Sequence, residues 1–441
     1  MEATMLFPKL KHHLLTELDL SKRLQNVVLW YLLFLMTSKR KHSLKEAAAF
    51  SGLHASQFSR VLKNHPHVPV ECLKQLGKKR ARELAKMAEN LSNGKLPWFA
   101  AIIIDSTMQH RSSSVHPENT ARINHGKGVR IGHQWTNVVL MINNKLVPLP
   151  PITFETKAYC RKHGLIYETE NQKVTRYLLH LDLESYIGPH DPRSVVVLAD
   201  SGYDDRKIQN VVRERGWDFI QALKTKRSVK NKTEYYCSPK SKGWHQVADF
   251  FKRNRRVKWQ TIRIATNRAK KKRMELRSRQ IKAALRYVGM VQLICSEIRN
   301  RPDGRRKYLA CSNLKVTGRQ IILGYRLRWA IEIFHKQVKM FLGFEDVAAH
   351  HFTAVYAHVH WVYCAYLLIH DEIKGLLEGL DSLAERQARM KQLIDSRQIS
   401  RAVQTLTQFS GTQRYKNQLQ QVLLDLQSGN VLNGAALRLM P

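Results

Sequence analysis

The sequence predicts an α/β protein with helical ends and a basic, β-rich stretch inserted late in the chain. Three observations carry this. Pro97-Trp-Phe-Ala-Ala-Ile-Ile-Ile104 is a short apolar run with Asp105 directly after it, and Ser194-Val-Val-Val-Leu-Ala199 is a second one followed by Asp200. Unbroken apolar runs of this length suit strands buried on both faces. The third is Tyr325 to Lys339, which reads as one helix. At about 100° per residue from Tyr325, Arg328 falls near 300°, Glu332 near 340° and Lys339 near 320°. Leu327, Ala330, Ile331, Phe334, Val338, Phe341 and Leu342 gather on another arc. One face packs; another presents a carboxylate between two cations and a phenol.

In chain order, residues 1–95 read as helical. Ser43-Leu-Lys-Glu46 is a capping box opening a helix to Ser51, Gly52 breaks it, and Ala55-Ser56 opens a second helix to Asn64. Two helices about a glycine turn are the layout of a helix-turn-helix, with Gln57, Ser59, Arg60 and Lys63 facing a groove. A plain helical hairpin gives the same pattern. After the strand at 97–104, Gly132–Ile142 and Lys145–Leu149 read as two strands about an Asn143-Asn144 turn. Glu170 to Tyr186 reads as a helix, Ser194–Ala199 as the second buried strand, and Trp217–Leu223 as another. From Lys224 to Lys282 there are 21 Lys or Arg and three acids. Lys258–Ala265, Leu285–Ile298 and Arg306–Ser312 read as strands there, with Ala269-Lys-Lys-Lys-Arg273 a basic cluster and Arg301-Pro-Asp-Gly304 a turn. The run Trp361–Ile369 reads as a core helix, and the chain beyond 375 as polar and helical, with the last residues, around Gly429-Asn430 and Asn433-Gly434, frayed.

Lys and Arg number 74 against 35 Asp and Glu, a net charge of +39. Such an excess points to a polyanionic partner, nucleic acid before a membrane surface. No membrane partner is expected: the longest apolar run, Val27–Met36, is too short to span a bilayer, and the start shows no charged-then-apolar signal segment. Cys72, Cys160, Cys237, Cys295, Cys311 and Cys364 lie far apart with no C-x2-C pair, which argues against a zinc ribbon and suits a reducing cytosol.

Two strand-end aspartates and one helical glutamate, with no Cys or His among them, favour a hard oxygen-seeking cation such as Mg²⁺ or Mn²⁺. Two such ions about 3.5–4 Å apart clamp an in-line displacement at phosphorus. Taken singly, Asp105 and Asp200 are equally well read as turn caps. His350-His351 and His358-x-His360 are better read as structural or DNA-contacting than as metal ligands, and the basic insertion as a face for the DNA backbone. Lys336 falls near the functional arc, as a DNA contact or a solvated lysine.

Asp105-Ser-Thr107, Asp200-Ser-Gly-Tyr203 and Tyr325-x2-Arg328-x3-Glu332-x6-Lys339 resemble the acidic triad and "YREK" signature of bacterial DDE transposases, and more closely the insertion-sequence-four family of cut-and-paste elements. Trp329 directly after Arg328 and Leu342-Gly343 at the helix end extend the resemblance, which covers roughly residues 95–345. It implies an RNase H-like catalytic core in which Asp105, Asp200 and Glu332 bind Mg²⁺ and cut one DNA strand at the transposon end, after which the freed 3′-hydroxyl forms a hairpin with the opposite strand. It implies that Tyr325, Arg328 and Lys339 hold phosphates, and that Trp329 and Tyr308, the latter where some relatives have Trp, support a flipped base.

The expected organisation is a helical DNA-binding region at 1–95, with its helix-turn-helix at about 43–64, core segments at 96–225 and 315–375 around the basic β-rich insertion at 226–314, and a helical tail at 376–441 that could dimerise. The expected function is a Mg²⁺-dependent transposase acting on double-stranded inverted repeats and target DNA as a homodimer, in a bacterial cytoplasm and on the nucleoid when bound. A nuclease on the same core without strand transfer, and an inactive transposase-derived DNA-binding protein, remain alternatives.

Overall fold

The computed structural model describes residues 21–38, 41–111, 117–124, 128–237, 243–254, 256–267, 272–299, 306–347, 349–370, 377, 379–380, 382–408, 413 and 417. The expected turn at 301–304, most of the 269–273 cluster and the frayed terminus lie outside these residues.

Among the described residues four helices come first: α1 (Lys22–Thr37), α2 (Leu44–Ser51), α3 (Ala55–Asn64) and α4 (His67–Lys86). Ser43 Oγ accepts from the Glu46 N–H (3.2 Å) at the start of α2. Gly52 ends α2 in the left-handed region (φ 68°), where a side chain would be strained. The expected helix–Gly–helix pair is therefore present. Helix α3 buries Phe58 and Leu62 and exposes Ser59, Arg60 and Lys63, with Gln57 half-buried.

Next come β1 (Ala100–His110), β2 (Ala121–Asn124), β3 (Val129–Ile142), β4 (Lys145–Pro148), β5 (Ile152–Thr153), α5 (Lys157–His163), α6 (Glu170–His180) and α7 (Glu184–Ile187). Asn143 and Asn144 both take positive φ (48° and 58°), the two-residue turn that matches strand twist. The helix expected over Glu170–Tyr186 is two helices. Leu181 leaves helical geometry (ψ 110°), its carbonyl accepts from Arg215 Nη2 (2.6 Å), and Asp182 Oδ1 receives the Ser185 N–H (3.2 Å). The apolar spacing continues across this break, which is why periodicity alone joins the two.

Then follow β6 (Val195–Ala199), α8 (Arg206–Glu214), β7 (Asp218–Ala222), β8 (Ser228–Asn231), α9 (Lys232–Cys237), β9 (His245–Gln246), α10 (Val247–Arg253), β10 (Gln260–Asn267), β11 (Lys272–Leu285), β12 (Gly289–Ile298) and β13 (Lys307–Cys311). Strand β11 had no counterpart in the sequence expectation, because its alternation is filled with Arg, Gln and Ser rather than apolar residues. The strand expected from Leu285 starts at Gly289, after a turn in which Tyr287 takes φ 64°. The last of the described elements are α11 (Gly318–Arg326), α12 (Trp329–Phe341), α13 (Phe352–His370) and α14 (Leu383–Gln408).

Among the described residues the strands form one mixed sheet in the order β2-β3-β1-β6-β7-β13-β12-β11-β8-β9, with β4 and β5 on β3 and β10 on β11. β1, β6 and β7 run parallel; β13 joins β7 antiparallel. This mixed α/β arrangement fits an RNase H-like core. The β-rich segment expected as an insertion extends the core sheet, because β13 pairs directly with β7.

Helix α13 joins the sheet to the N-terminal helices. Sixteen of its residues, Phe352, Ala354, Val355 and Ala357 to Ile369, are buried, and it packs on α1, α3 and α4. Tyr363 Oη donates to Asn137 on β3 (2.6 Å). His358 Nδ1 meets Tyr31 Oη of α1 (2.7 Å) and its Nε2 meets the Gly343 carbonyl (2.9 Å). One apolar cluster runs through the N-terminal helices and the sheet, so the change of texture near residue 95 does not divide the core. Gly343 takes φ 71°, and a Cβ there would come within 2.4 Å of the His42 ring; only glycine closes α12 at this point.

Candidate active site

The site forms where β1 and β6 lie side by side. Their parallel register pairs Ile104 with Ala199, so Asp105 and Asp200 follow at adjacent positions, one strand spacing apart. Asp200 leaves the strand in a short turn, and its Oδ1 accepts from the Gly202 N–H (2.7 Å). Tyr203, at the end of that turn, is buried and donates to Glu170 (2.7 Å). Glu170 also accepts from Thr136 Oγ1 (2.6 Å) and Gln134 (2.9 Å) on β3. The turn carrying Asp200 is thus pinned across the sheet.

Glu332 arrives on α12. The stretch from Tyr325 to Lys339 is not the single helix that the wheel predicts. The Leu327 and Arg328 N–H groups bond three residues back, to Gly324 (3.0 Å) and Tyr325 (3.1 Å). This tighter turn separates α11 from α12 and changes the phase. Gly324 lets α11 sit on β7, where a Cβ would meet Ile220 Cδ1 at 2.7 Å. Ile331, Phe334, Val338 and Leu342 are buried as the packed arc requires, and Trp329, Ile333, Lys336 and Met340 are exposed. Glu332 falls in the first turn of α12, where the helix dipole favours a carboxylate.

Arg328 ties two of the acids together. Its Nη1 lies 3.1 Å from Asp105 Oδ2 and its Nη2 2.5 Å from Glu332 Oε1. Burial raises the Asp105 pKa to about 6, Arg328 pulls it down, and the charges of Asp200 and Glu332 push it up again. The three carboxylates therefore share one electrostatic environment. An oxygen-only donor set of this kind fits a hard divalent cation.

A stability prediction follows from Asp105. Its folded pKa lies above the ordinary 3.8, so the folded state holds the proton more tightly than the unfolded chain does. Stability is thereby lost as pH rises from about 4 through 6. Asp105→Asn is expected to be more stable than the parent at pH 7.5 without divalent ions, by up to about 3 kcal/mol. Thermal midpoints that fail to converge as pH approaches 4 would show that the carboxyl group is not the cause.

The remaining candidates divide. Tyr325 is buried at the site, its hydroxyl pKa raised by burial, lowered by Arg328 and raised by Asp200. Its ring lies between Lys307 (4.9 Å) and Arg328 (6.0 Å). Trp329 is 62% exposed. Lys339 braces α12 rather than standing free: its ammonium donates to the Met108 carbonyl on β1 (2.6 Å) and pairs with Glu345 (3.1 Å). Tyr308 corrects the expectation of a base-stacking ring. It is 6% exposed and stacks on Phe251 at 5.9 Å; along a strand it must point opposite to Lys307, which reaches Tyr325. Gln57 and Arg60 lie on α3 in the N-terminal bundle, where Arg60 Nε donates to the Ser56 carbonyl (3.3 Å).

Lys307 is the site residue that sequence reasoning missed. Burial and then Arg328 lower its pKa, while Glu332 and Asp200 raise it. The signal was its alternation with the apolar Tyr308 at the start of β13. The extended sheet adds further cations. Arg263 and Arg299 share Glu275 (2.7 and 3.0 Å); Arg277 and Arg306 share Glu297. Trp259 faces Arg277, Arg279 and Arg306 at 5.3, 4.4 and 5.7 Å. Two acids against five guanidinium groups leave this surface positive.

No curated protein matches the chain. Residues 155–368 match the family model described as the transposase DDE domain, a stretch just under half of the chain that contains Asp200 and Glu332 and begins after Asp105, and the match supports a DDE transposase.

Proposed function

We propose that this protein cuts and joins transposon ends by divalent-metal-dependent phosphoryl transfer, with Asp105, Asp200 and Glu332 as the metal ligands and a DNA hairpin as the intermediate of a cut-and-paste route. The observation that carries the reading is that Arg328 bridges Asp105 on β1 and Glu332 on α12, while Asp200, at the end of the adjacent parallel strand, is close enough to raise the Asp105 pKa. Mg²⁺ or Mn²⁺, two ions per site, would activate the attacking oxygen and stabilise the leaving one.

The chain's own residues do the rest. Arg328 neutralises Asp105 and Glu332, and a DNA phosphate offers the same guanidinium a competing bidentate partner. Lys307 and the Tyr325 hydroxyl lie beside Arg328 and add donors for phosphate oxygens. Lys339 holds β1 and α12 in register, so that Asp105 and Glu332 keep their places. The Trp259 and arginine face of the extended sheet, Lys336 on α12, and Gln57 and Arg60 on α3 are the proposed tracks for duplex DNA. Two ends need two active sites, hence a homodimer in the working complex.

The exposed Trp329 ring, next to Arg328, is the proposed platform for a base displaced during hairpin formation, whereas Tyr308 is a core residue. Stacking of a base on an aromatic ring is worth roughly 1–3 kcal/mol, about five- to 150-fold in rate. Trp329→Ala is expected to leave first-strand nicking intact and slow hairpin formation by that factor. End-labelled transposon-end DNA on denaturing gels separates the two steps, and equal slowing of both would remove the stacking role. In the same assay, precleaved ends should join to target DNA in Mg²⁺; cleavage without any joining would assign a nuclease instead.

A further inference from the structure

We propose that Glu118, His350 and His351 form a second cation site, separate from the three acids and selective for a divalent ion of borderline softness such as Zn²⁺ or Co²⁺. Each offers one ligand atom, and the three atoms lie within 4.8 Å of one another. Glu118 Oε2 and His351 Nδ1 are already 3.7 Å apart. Ligands about 2.0–2.1 Å from a tetrahedral ion sit roughly 3.3 Å from each other, so small side-chain rotations close the set. The two imidazole rings lie edge to face at 5.5 Å, which lets both direct a nitrogen to one point.

The backbone around the cluster is fixed. The Glu118 N–H donates to the His350 carbonyl (2.9 Å), and Glu118 Oε2 accepts from the Phe352 N–H (3.1 Å) at the start of α13. The carboxylate is half-buried while both histidines are exposed, so the ligands reach solvent and the anchor does not drift. Lys162 pairs with Glu118 Oε1 (3.3 Å), but its own side chain is 65% exposed and is free to yield to a doubly charged ion. Two imidazoles and one carboxylate select zinc-like ions over Mg²⁺, which requires oxygen ligands. A bound ion would clamp the chain entering β2 to the first turn of α13.

The test uses the full chain carrying Asp105→Asn and Glu332→Gln, so that the acidic site does not compete for the probe. Titration with Co²⁺, read by visible d–d absorption and by thermal midpoint, should give one ion per chain and a raised midpoint. Excess Mg²⁺ should not displace it. His350→Ala, His351→Ala and Glu118→Gln should each weaken Co²⁺ binding at least about tenfold, and in the otherwise unsubstituted protein Glu118→Gln should leave Mg²⁺-dependent DNA cleavage unchanged. Absence of saturable Co²⁺ binding, or binding that survives loss of both histidines, would overturn the site.

Discussion

Glu332→Gln is expected to abolish strand cleavage in Mg²⁺ while DNA binding persists. The substitution keeps the shape of the side chain and removes the charge that a metal ligand must supply. Lewis-acid stabilisation of a phosphoryl transition state is worth several kcal/mol, so the cleavage rate should fall by about 10³-fold or more. DNA binding rests on other groups: Arg328 keeps Asp105 as a partner at 3.1 Å, and the arginine face of the sheet is untouched. Gel-shift titration and single-turnover cleavage on one oligonucleotide separate the two quantities. Cleavage at the parental rate would remove Glu332 from the mechanism; loss of binding together with cleavage would mean that the helix, not the charge, had been disturbed.

Acid should unfold this protein early, through histidines rather than through the candidate site. Burial lowers His335 and His358 to about 3, and His133, His360 and His370 to about 4. Each is depressed below the ordinary value of 6.5, so the unfolded chain binds protons that the folded one refuses. The stability that these histidines contribute is complete above pH 6.5 and is lost progressively as pH falls toward 3. His358 alone contributes a few kcal/mol over that window, because protonating it would put a charge between Tyr31 Oη and the Gly343 carbonyl in the core. His358→Gln should flatten the dependence of the thermal midpoint on pH between 7.5 and 5, whatever it does to the midpoint at pH 7.5. An unchanged slope would locate the acid sensitivity elsewhere.

How much of the site was legible follows from how each residue is held. Asp105 and Asp200 were visible because a buried parallel strand is a continuous apolar run, and the first polar residue after it marks the strand end. Glu332 was visible because helical spacing survives a local tightening of the turn. The roles of its neighbours were harder to read. Lys339 looks like a free cation on a wheel, yet it braces the Met108 carbonyl and Glu345, a partner set that no spacing reveals. Tyr308 matches a ring by alignment of neighbours, but strand alternation turns it into the core against Phe251. Lys307, one residue earlier, takes the exposed side and reaches the site.

The same division holds for the fold. The sequence alone determined the local elements, the strands at 100–104 and 195–199, the hairpin at Asn143-Asn144 and the helix–Gly–helix pair, together with an excess of cations that suits a polyanionic partner. Those features depend on residues close in the chain. Tertiary structure decided what depends on distant partners. It joined β13 to β7, so that the basic segment extends the core sheet. It buried α13 between the sheet and the N-terminal helices, so that one apolar cluster runs through both. It broke the 325–339 stretch at Leu327 and so aimed Arg328 at Asp105 and Glu332 together. Hydrogen bonds across the sheet and packing against α13 set these arrangements, and neither leaves a period in the sequence.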